Sequence, residues 1–456
     1  MKNATPMRNK VRTISGVTPV AVITKPWPCP GNCIYCPHDD NTPQSYLKKE
    51  PAVARALLTD YDPRRQVEYR LKQYSDTGHD TSKIELIILG GSWSAYPKQY
   101  RLDFISGCLE ALNGSSSTSF EEAITKNETA PHRMVGLGIE TRPDLVNEEE
   151  IRHLRDIGVT KVELGVQSTD EEVLKLNNRG HNLGAVIKAT ELLKNHGFKV
   201  LYHIMPGLYG STLEKDINVF ETLFNTPEFQ PDMLKIYPCV VIPGTELSVI
   251  FKKGDYIPYS NEELVDLLVS IKKKVPPYVR IMRLFRDIPA EYVEGGSTSS
   301  NLRELVAIRM KNEGVKCRCI RCREIREKKH NDTIRIQEIT YRASRGTEVF
   351  LEYIDTDTTI YALLRLRIPD NFGIYGSLKN TALIRELHVY GPATSIGKTG
   401  LVQHRGLGKL LLNAAETIAK NTYKLEKIAV ISGIGVRDYY RNLGYELADT
   451  YMIKNL

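Results

Sequence analysis

Between residues 17 and 289 the chain alternates apolar β-type runs with stretches of helical spacing, and this grammar constrains the fold more than any single motif. The runs fall at 20–24, 84–89, 134–140, 161–167, 199–205 and 233–241, with 279–284 as a further candidate. Amphipathic segments such as 148–157 and 183–196 lie between them. Strands separated by helices form right-handed βαβ units and a parallel sheet. Six such units predict an incomplete TIM-type barrel rather than an open doubly wound sheet. In these barrels chemistry sits at the C-terminal ends of the strands, and the unusual residues of this sequence are there. Three cysteines follow the first run and Gly90-Gly91-Ser92-Trp93 the second. Glu140-Thr141-Arg142-Pro143 follows the third, Gln167-Ser168 the fourth, and His203 with Met205-Pro206-Gly207 the fifth.

The cysteines are Cys29, Cys33 and Cys36, spaced CxxxCxxC. Thiolates at this spacing suit an iron–sulfur cluster or zinc. Three ligands on a four-iron cube leave one iron without a protein ligand, and an open position is what metal chemistry needs; a structural zinc site with a distant fourth ligand is the alternative. The spacing is similar to that of radical S-adenosylmethionine (SAM) enzymes. That resemblance implies a 4Fe-4S cluster whose open iron is chelated by SAM, with Gly90, Gly91, Glu140, Arg142 and Gln167 lining the SAM site. A second group, Cys317, Cys319 and Cys322, has the CxCxxC spacing of a tetrahedral zinc site. Its fourth ligand is expected to be Cys108, with Cys239 or a histidine as alternatives; cysteines that bind nothing are the bland reading.

Six of the eight cysteines thus fall in two tight clusters, which favours metal binding in a reducing compartment over a disulfide framework. No apolar run of about 18 residues is present, so no transmembrane helix is expected. The N-terminal residues are polar and basic, unlike a signal peptide, and a cytoplasmic protein is the expectation. A net charge of +7 permits a polyanionic partner without requiring one.

Beyond residue 330 the grammar changes to α+β. Runs at 334–341, 349–353, 360–368 and 384–390 alternate with short turns and no helices between them. A helix over 406–420, an apolar strand at 428–432 and a short helix near 436–443 follow. The expected division is a barrel over 1–289, a connector over 290–330 and a second domain over 331–456. Gln403-His404-Arg405-Gly406-Leu407-Gly408 opens the helix, where glycines let successive backbone N–H groups face a pyrophosphate beside the positive helix end. Alone it could be a tight turn. It stands, however, between Arg385-Glu386-Leu387-His388-Val389 and Tyr439-Tyr440-Arg441-Asn442-Leu443-Gly444-Tyr445, an order that resembles GCN5-related (GNAT) acetyltransferases. The resemblance implies that Glu386, Leu387, His388 and Val389 pair with the pantetheine arm of acetyl-CoA. It implies that Gln403, Arg405, Gly406, Leu407, Gly408 and Lys409 form the pyrophosphate cradle. It also implies that Tyr440, beside Tyr439, lies near the thioester sulfur, where a phenol can protonate the leaving thiolate; for both tyrosines the bland reading is core packing.

A radical-SAM barrel followed by a GNAT domain resembles the family of the Elongator catalytic subunit, in its stand-alone archaeal or bacterial form. Further strings carry the resemblance: Gly138-Ile139-Glu140-Thr141-Arg142-Pro143-Asp144, Glu163-Leu164-Gly165-Val166-Gln167-Ser168, Asn178-Arg179-Gly180-His181 and Arg286-Asp287-Ile288-Pro289. It implies an enzyme that takes hydrogen from the acetyl methyl of acetyl-CoA with a SAM-derived radical, then joins that carbon to carbon 5 of the tRNA wobble uridine, leaving a carboxymethyl group after thioester hydrolysis. It also implies that Lys83 contacts acetyl-CoA, although residue type alone reads as a solvated charge at a strand start. The expected partner is a tRNA anticodon stem-loop, met by Arg64, Arg65, Lys272, Lys273, Lys274, Arg280, Arg283, Arg286 and the basic run from Arg318. No obligatory protein partner is implied, and a homodimer is compatible. The chain departs from eukaryotic members in the spacing of its first cysteines and in Gly207 where they carry aspartate, and from family members generally in a basic N-terminal region reduced to Lys2, Arg8, Lys10 and Arg12. Two other readings compete: a protein lysine acetyltransferase with Glu386 as general base, and a tRNA-binding scaffold with a vestigial cluster.

Overall fold

A computed structural model describes residues 13–299, 301–328, 333–394, 402–403 and 405–456. The N-terminal basic residues up to Arg12, and His404, lie outside them. Seven parallel strands form the first sheet in sequential order: β1 (Thr18–Ile23), β2 (Lys83–Leu89), β3 (Arg133–Thr141), β4 (Lys161–Gln167), β5 (Lys199–Ile204), β6 (Met233–Ile236) and β7 (Arg280–Arg283). Sequential parallel order is barrel winding, and β1 and β7 remain as its two edges. The further candidate at 279–284 is thus the seventh strand, beside the six expected. The sixth is also shorter than expected: it stops at Ile236, just before Pro238, which has no N–H to give a ladder.

The helices start where capping residues satisfy their first N–H groups. Asn147 accepts from Glu150 N, Asn182 from Ala185 N, and Ser260 forms a capping box with Glu263. Each such cap stabilises by about 1 kcal/mol. The helices cover the outer face of the barrel. On β2 the outward residues Ile84, Leu86 and Ile88 are fully buried beneath them, whereas Lys83, Glu85, Ile87 and Leu89 are partly accessible. Parallel sheets normally bury both faces; here the lumen side is the wetter one.

The second sheet runs β13-β14-β12-β11-β10-β9-β8, from β8 (Arg335–Arg342), β9 (Gly346–Ile354), β10 (Ile360–Pro369), β11 (Thr381–Val389), β12 (Lys427–Val430), β13 (Glu446–Ala448) and β14 (Tyr451–Asn455). The last two strands were not expected; they are short, and β13 is mostly exposed, so neither has a strong apolar signature. All neighbours are antiparallel except β11 and β12. Those two pair only from Thr381↔Lys427 to Ile384↔Val430, while β11 continues to Val389 on β10 alone. Past Ile384 the parallel pair is open.

This sheet closes the N-terminal end of the barrel. Asp232, just before β6, accepts from Arg385 Nη1 at 2.7 Å and Nη2 at 2.6 Å, with Arg365 Nη1 at 3.6 Å. Glu348 accepts from Arg385 and from Arg367, and Arg367 also donates to Asn195. Gly433 lies flat on Val135, where a side chain at 433 would overlap the Val135 carbonyl. One apolar core runs through both sheets. No helix among the described residues is long and apolar enough to cross a membrane.

Candidate active site

Two sets of predicted residues lie at opposite ends of the barrel. At the C-terminal mouth, the loop carrying Cys29, Cys33 and Cys36 leaves β1, and each sulfur has a polar neighbour. Gly31 N lies 3.4 Å from Cys29 Sγ, Arg179 Nη1 donates to Cys33 Sγ at 3.3 Å, and Gln44 Nε2 donates to Cys36 Sγ at 3.4 Å. Burial pushes the Cys36 thiol up to about 12, so a ligand charge is needed to hold its thiolate. Among the described residues, two groups of ligand side chains converge within 4.8 Å, and this trio is not one of them. Sulfurs on a single zinc ion stand ~3.8 Å apart, from Zn–S bonds of about 2.3 Å in a tetrahedron. At least one pair of these three sulfurs stands more than 4.8 Å apart.

The predicted SAM-side residues surround this loop. Gly90 and Gly91 have φ of +129° and +91°, and their N–H groups donate to Glu140 Oε1 at 2.9 and 2.8 Å. Tyr46 donates to the same oxygen at 2.6 Å, so that Glu140 oxygen holds the glycine turn in place. A Cβ at Gly90 would overlap Thr24 Oγ1. Arg142 pairs with Asp144 and donates to the Arg179 carbonyl, yet its Nη1 is buried, partnerless and aimed at Gly31 in the cysteine loop. Gln167 takes φ +72° and buries an unpartnered Oε1. Orphaned donors and acceptors of this kind are rare in folded proteins; two of them beside three cysteines fit a polar ligand. Burial and the neighbouring Arg179 charge pull His181 down to about 3, so it is neutral there.

At the floor of the barrel, β11 brings Glu386 and His388 against the strand starts. Glu386 is buried, accepts from Arg365 Nε at 2.8 Å and lies 3.9 Å from Lys199 Nζ. Burial raises its carboxyl, but the Lys199 and Arg365 charges outweigh this and hold it below the ordinary range. His388 Nε2 hydrogen-bonds the Ser15 carbonyl at 2.6 Å. Gln403 Nε2 donates to the Val389 carbonyl at 3.0 Å, and its Oε1 accepts from Lys83 Nζ at 2.6 Å. Lys83 is thus not a solvated charge; burial pulls it down to about 8. Gly406, at φ +87°, turns the chain into the helix Leu407–Thr417, whose first turn carries the exposed Lys409. The Tyr439 hydroxyl stands over Gly408, 3.0 Å from where a Cβ would be. Tyr440 is buried beside it, its ring 5.2 Å from that of Tyr439, and burial pushes its phenol above the usual value.

Comparison with known proteins agrees with the fold. The radical SAM superfamily profile matches residues 29–223, and the radical SAM C-terminal domain profile matches 231–312. A tRNA uridine(34) acetyltransferase of Dehalococcoides mccartyi is 49% identical across 99% of this chain and 100% of its own length. Human Elongator complex protein 3 is 41% identical across 98% of this chain and 85% of its own. The structure of archaeal Methanocaldococcus infernus Elp3, lacking its N-terminal residues 1–46, superposes with a TM-score of 0.87 at 43% identity, covering 97% of this chain and all of that one. The chain belongs to the family of tRNA uridine(34) acetyltransferases and Elongator complex protein 3.

Within this family member the second cysteine group is compact. Cys317, Cys319 and Cys322 place their sulfurs within 4.8 Å of one another, the spacing of ligands to one ion. Cys108 does not join them, which corrects the expectation. It is fully buried in the helix Lys98–Asn113 within the barrel's outer shell, where burial pushes its thiol up. Lys272 Nζ stands 3.6 Å from Cys322 Sγ instead. Two basic residues expected to meet RNA are buried, Arg280 in a pair with Glu324 at the floor and Lys272, and the half-buried Arg286 is paired with Glu50. Arg283 is half exposed near the mouth. The site residues that sequence reasoning missed are Arg179, Gln44 and Tyr46. Arg179 had a signal in the Asn178–His181 string; the other two lie in a loop without a motif.

Proposed function

We propose that this chain modifies uridine 34 of tRNA, using SAM and acetyl-CoA to place a carboxymethyl group on carbon 5. Its near end-to-end identity with a tRNA uridine(34) acetyltransferase carries the reading. The two-ended barrel supports it: a cysteine loop with an unpartnered guanidinium at the mouth, an opened parallel strand pair at the floor. We assign residues 1–289 to the barrel, 290–330 to the connector and 331–456 to a GNAT acetyltransferase domain.

Cys29, Cys33 and Cys36 would hold the 4Fe-4S cluster, which with SAM supplies an oxidant able to take hydrogen from an unactivated methyl group. Around it, Arg179 and Gln44 compensate thiolate charge on Cys33 and Cys36. Arg142 Nη1 and Gln167 Oε1 offer one donor and one acceptor to SAM, and Glu140 fixes the Gly90–Gly91 turn beneath it. On the other side, the free edge of β11 from Glu386 to Val389 would pair with the pantetheine arm. The N–H groups of Leu407, Gly408 and Lys409 would take the pyrophosphate at a positive helix end. Tyr440, kept protonated by burial, holds the proton that a leaving thiolate needs. Cys317, Cys319 and Cys322 would hold zinc and so fix the connector.

The protein lysine acetyltransferase reading needs Glu386 as a free base. Glu386 is instead a buried carboxylate tied to Arg365 and close to Lys199 at the barrel floor. The deciding experiment supplies cluster-loaded protein with SAM, reductant, tRNA and acetyl-CoA deuterated at the methyl. Deuterium in 5′-deoxyadenosine and carboxymethyl on uridine 34 is expected; methyl deuterium retained wholly in acetyl-lysine overturns the reading. Cys33→Ser is expected to abolish SAM cleavage.

A further inference from the structure

The two halves of the proposed reaction face opposite ends of one barrel. The opened β11 edge meets the strand starts at Lys199, while the cysteine loop leaves the strand ends. From Lys199 to His203 along β5 the separation is roughly 13 Å at about 3.3 Å per residue. An acetyl methyl delivered at β11 must cross that distance to react at the mouth.

The interior of the barrel is unlike a packed core. TIM-type lumens are filled by branched apolar side chains. Here a file of charged and polar groups runs from floor to mouth: Lys199, Glu85, Lys161, Glu163, Lys235 and His203. Lys161 Nζ donates to Glu85 at 2.6 Å and lies 3.8 Å from Glu163, which in turn pairs with Lys235 and with His203 Nε2 at 2.8 Å. Interior ion pairs seldom stabilise a fold more than well-packed apolar residues would, so stability alone is a poor reason for them. The file is also partly wet. Side chains of Lys199, Glu85 and His203 are 19%, 21% and 14% accessible, and only Lys161 and Glu163, at 2%, are closed off. Gly138 makes way for the Lys161 side chain, which a Cβ at 138 would strike. On β1 and β2 the lumen-facing Ala21 and Ile87 are register partners, both partly accessible and outside the apolar core, whereas their neighbours Val22 and Ile88 are buried in it.

A swing of the second sheet around the outside of the barrel is the other way to bring the two ends together. The buried cluster of Asp232, Glu348, Arg365, Arg367 and Arg385 opposes it, because separating buried pairs exposes several uncompensated charges at once.

We infer that the barrel lumen is the route by which the acetyl-bearing arm of acetyl-CoA reaches the cysteine-loop face, with the Lys161–Glu163 pair as its narrowest point. The inference rests on the acetyl-CoA reading of the second sheet. A thin aliphatic amide chain can enter such a passage, and lumenal lysines and carboxylates can hydrogen-bond its two amides and its thioester carbonyl as it passes.

The test uses the full-length, cluster-loaded protein carrying Ala21→Cys, treated with iodoacetamide. Alkylation of the peptide containing position 21 is followed by mass spectrometry. Val22→Cys, on the outward face, is the control, and Ile87→Cys is a second lumen variant should Ala21→Cys fold poorly. The lumen cysteine is expected to react at least about tenfold faster than the outward one, since thiol reactivity follows access. A non-reacting ketone analogue of acetyl-CoA is expected to suppress that labelling, and adenosine 3′,5′-bisphosphate, which lacks the arm, is expected to leave it unchanged. Unreactive lumen cysteines, or equal protection by the bisphosphate, would overturn the route. Analogue binding by calorimetry without protection removes the route and leaves the acetyl-CoA reading intact; absence of analogue binding removes both.

Discussion

Arg179 shows how much of the mouth depends on a single side chain. Its guanidinium donates to Cys33 Sγ and to the Gly165 carbonyl, and a Cβ at 165 would collide with it. Groups that hydrogen-bond metal ligands commonly matter almost as much as the ligands. Arg179→Met is therefore expected to lower SAM cleavage by roughly 10–100-fold while iron content stays near stoichiometric; iron analysis beside 5′-deoxyadenosine release checks it. His181 provides a pH signature. Burial and the Arg179 charge hold it near 3 in the folded chain, against an ordinary histidine value of about 6.5. Below about 6.5 the unfolded chain binds a proton that the folded chain refuses, so stability falls as pH drops from there toward 3. Urea titrations between pH 7 and 4 are expected to show this loss, and His181→Gln is expected to flatten it. The residue-scale site was legible only where a motif named it. Cys29, Cys33, Cys36 and Arg142 were readable; Gln44 and Tyr46 were not, because a residue brought in by a long loop leaves no periodic trace. Cys108 illustrates the converse: a cysteine looks like a ligand in a sequence, yet its thiol lies fully buried in a helix of the outer shell.

At the scale of elements, the departure of β12 from β11 after Ile384 is the feature on which the second site depends. What holds it is the contact of the following turn with the barrel. Gly433 lies against the Val135 carbonyl and Gly435 against Arg133, both positions where a Cβ has no space. Gly433→Ala is expected to destabilise the protein by about 1–3 kcal/mol through overpacking, seen as a lowered thermal midpoint, and to weaken acetyl-CoA binding as the splay shifts. Long elements with a clear period were visible in the sequence: β4 matches its expected bounds, and the helix Leu183–Asn195 differs by one residue. The last two strands were not. β13 and β14 have three and five residues, and their pairing is set by partners far along the chain.

Across the whole molecule, the two sheets are joined by buried charge as well as by apolar packing. Asp232 is fully buried under Arg385 and Arg365, with Lys194 Nζ at 3.9 Å, and these charges outweigh burial to hold its carboxyl far below the usual range. Asp232→Asn removes the one anion that all three cations share. A loss of about 3–5 kcal/mol is expected, the cost of leaving buried charges uncompensated. Denaturant unfolding checks the magnitude, and separation of one transition into two would mark uncoupling of the sheets.

By itself the sequence determined the chemistry on offer and the order of the elements. Cysteine spacing, strand–helix alternation and the helix-opening glycines are local properties, set by neighbours a few residues away. Tertiary structure alone decided that the second sheet closes the barrel floor, that Lys83 reaches Gln403 across 320 positions of chain, and that a file of charged side chains runs along the lumen. Lysine and glutamate on alternate strand positions read as surface in a sequence, since charge is costly to bury. Only the pairing of β2 and β4 on either side of β3 brings Glu85 to Lys161 and Glu163, and mutual compensation is the physical reason they can stay inside.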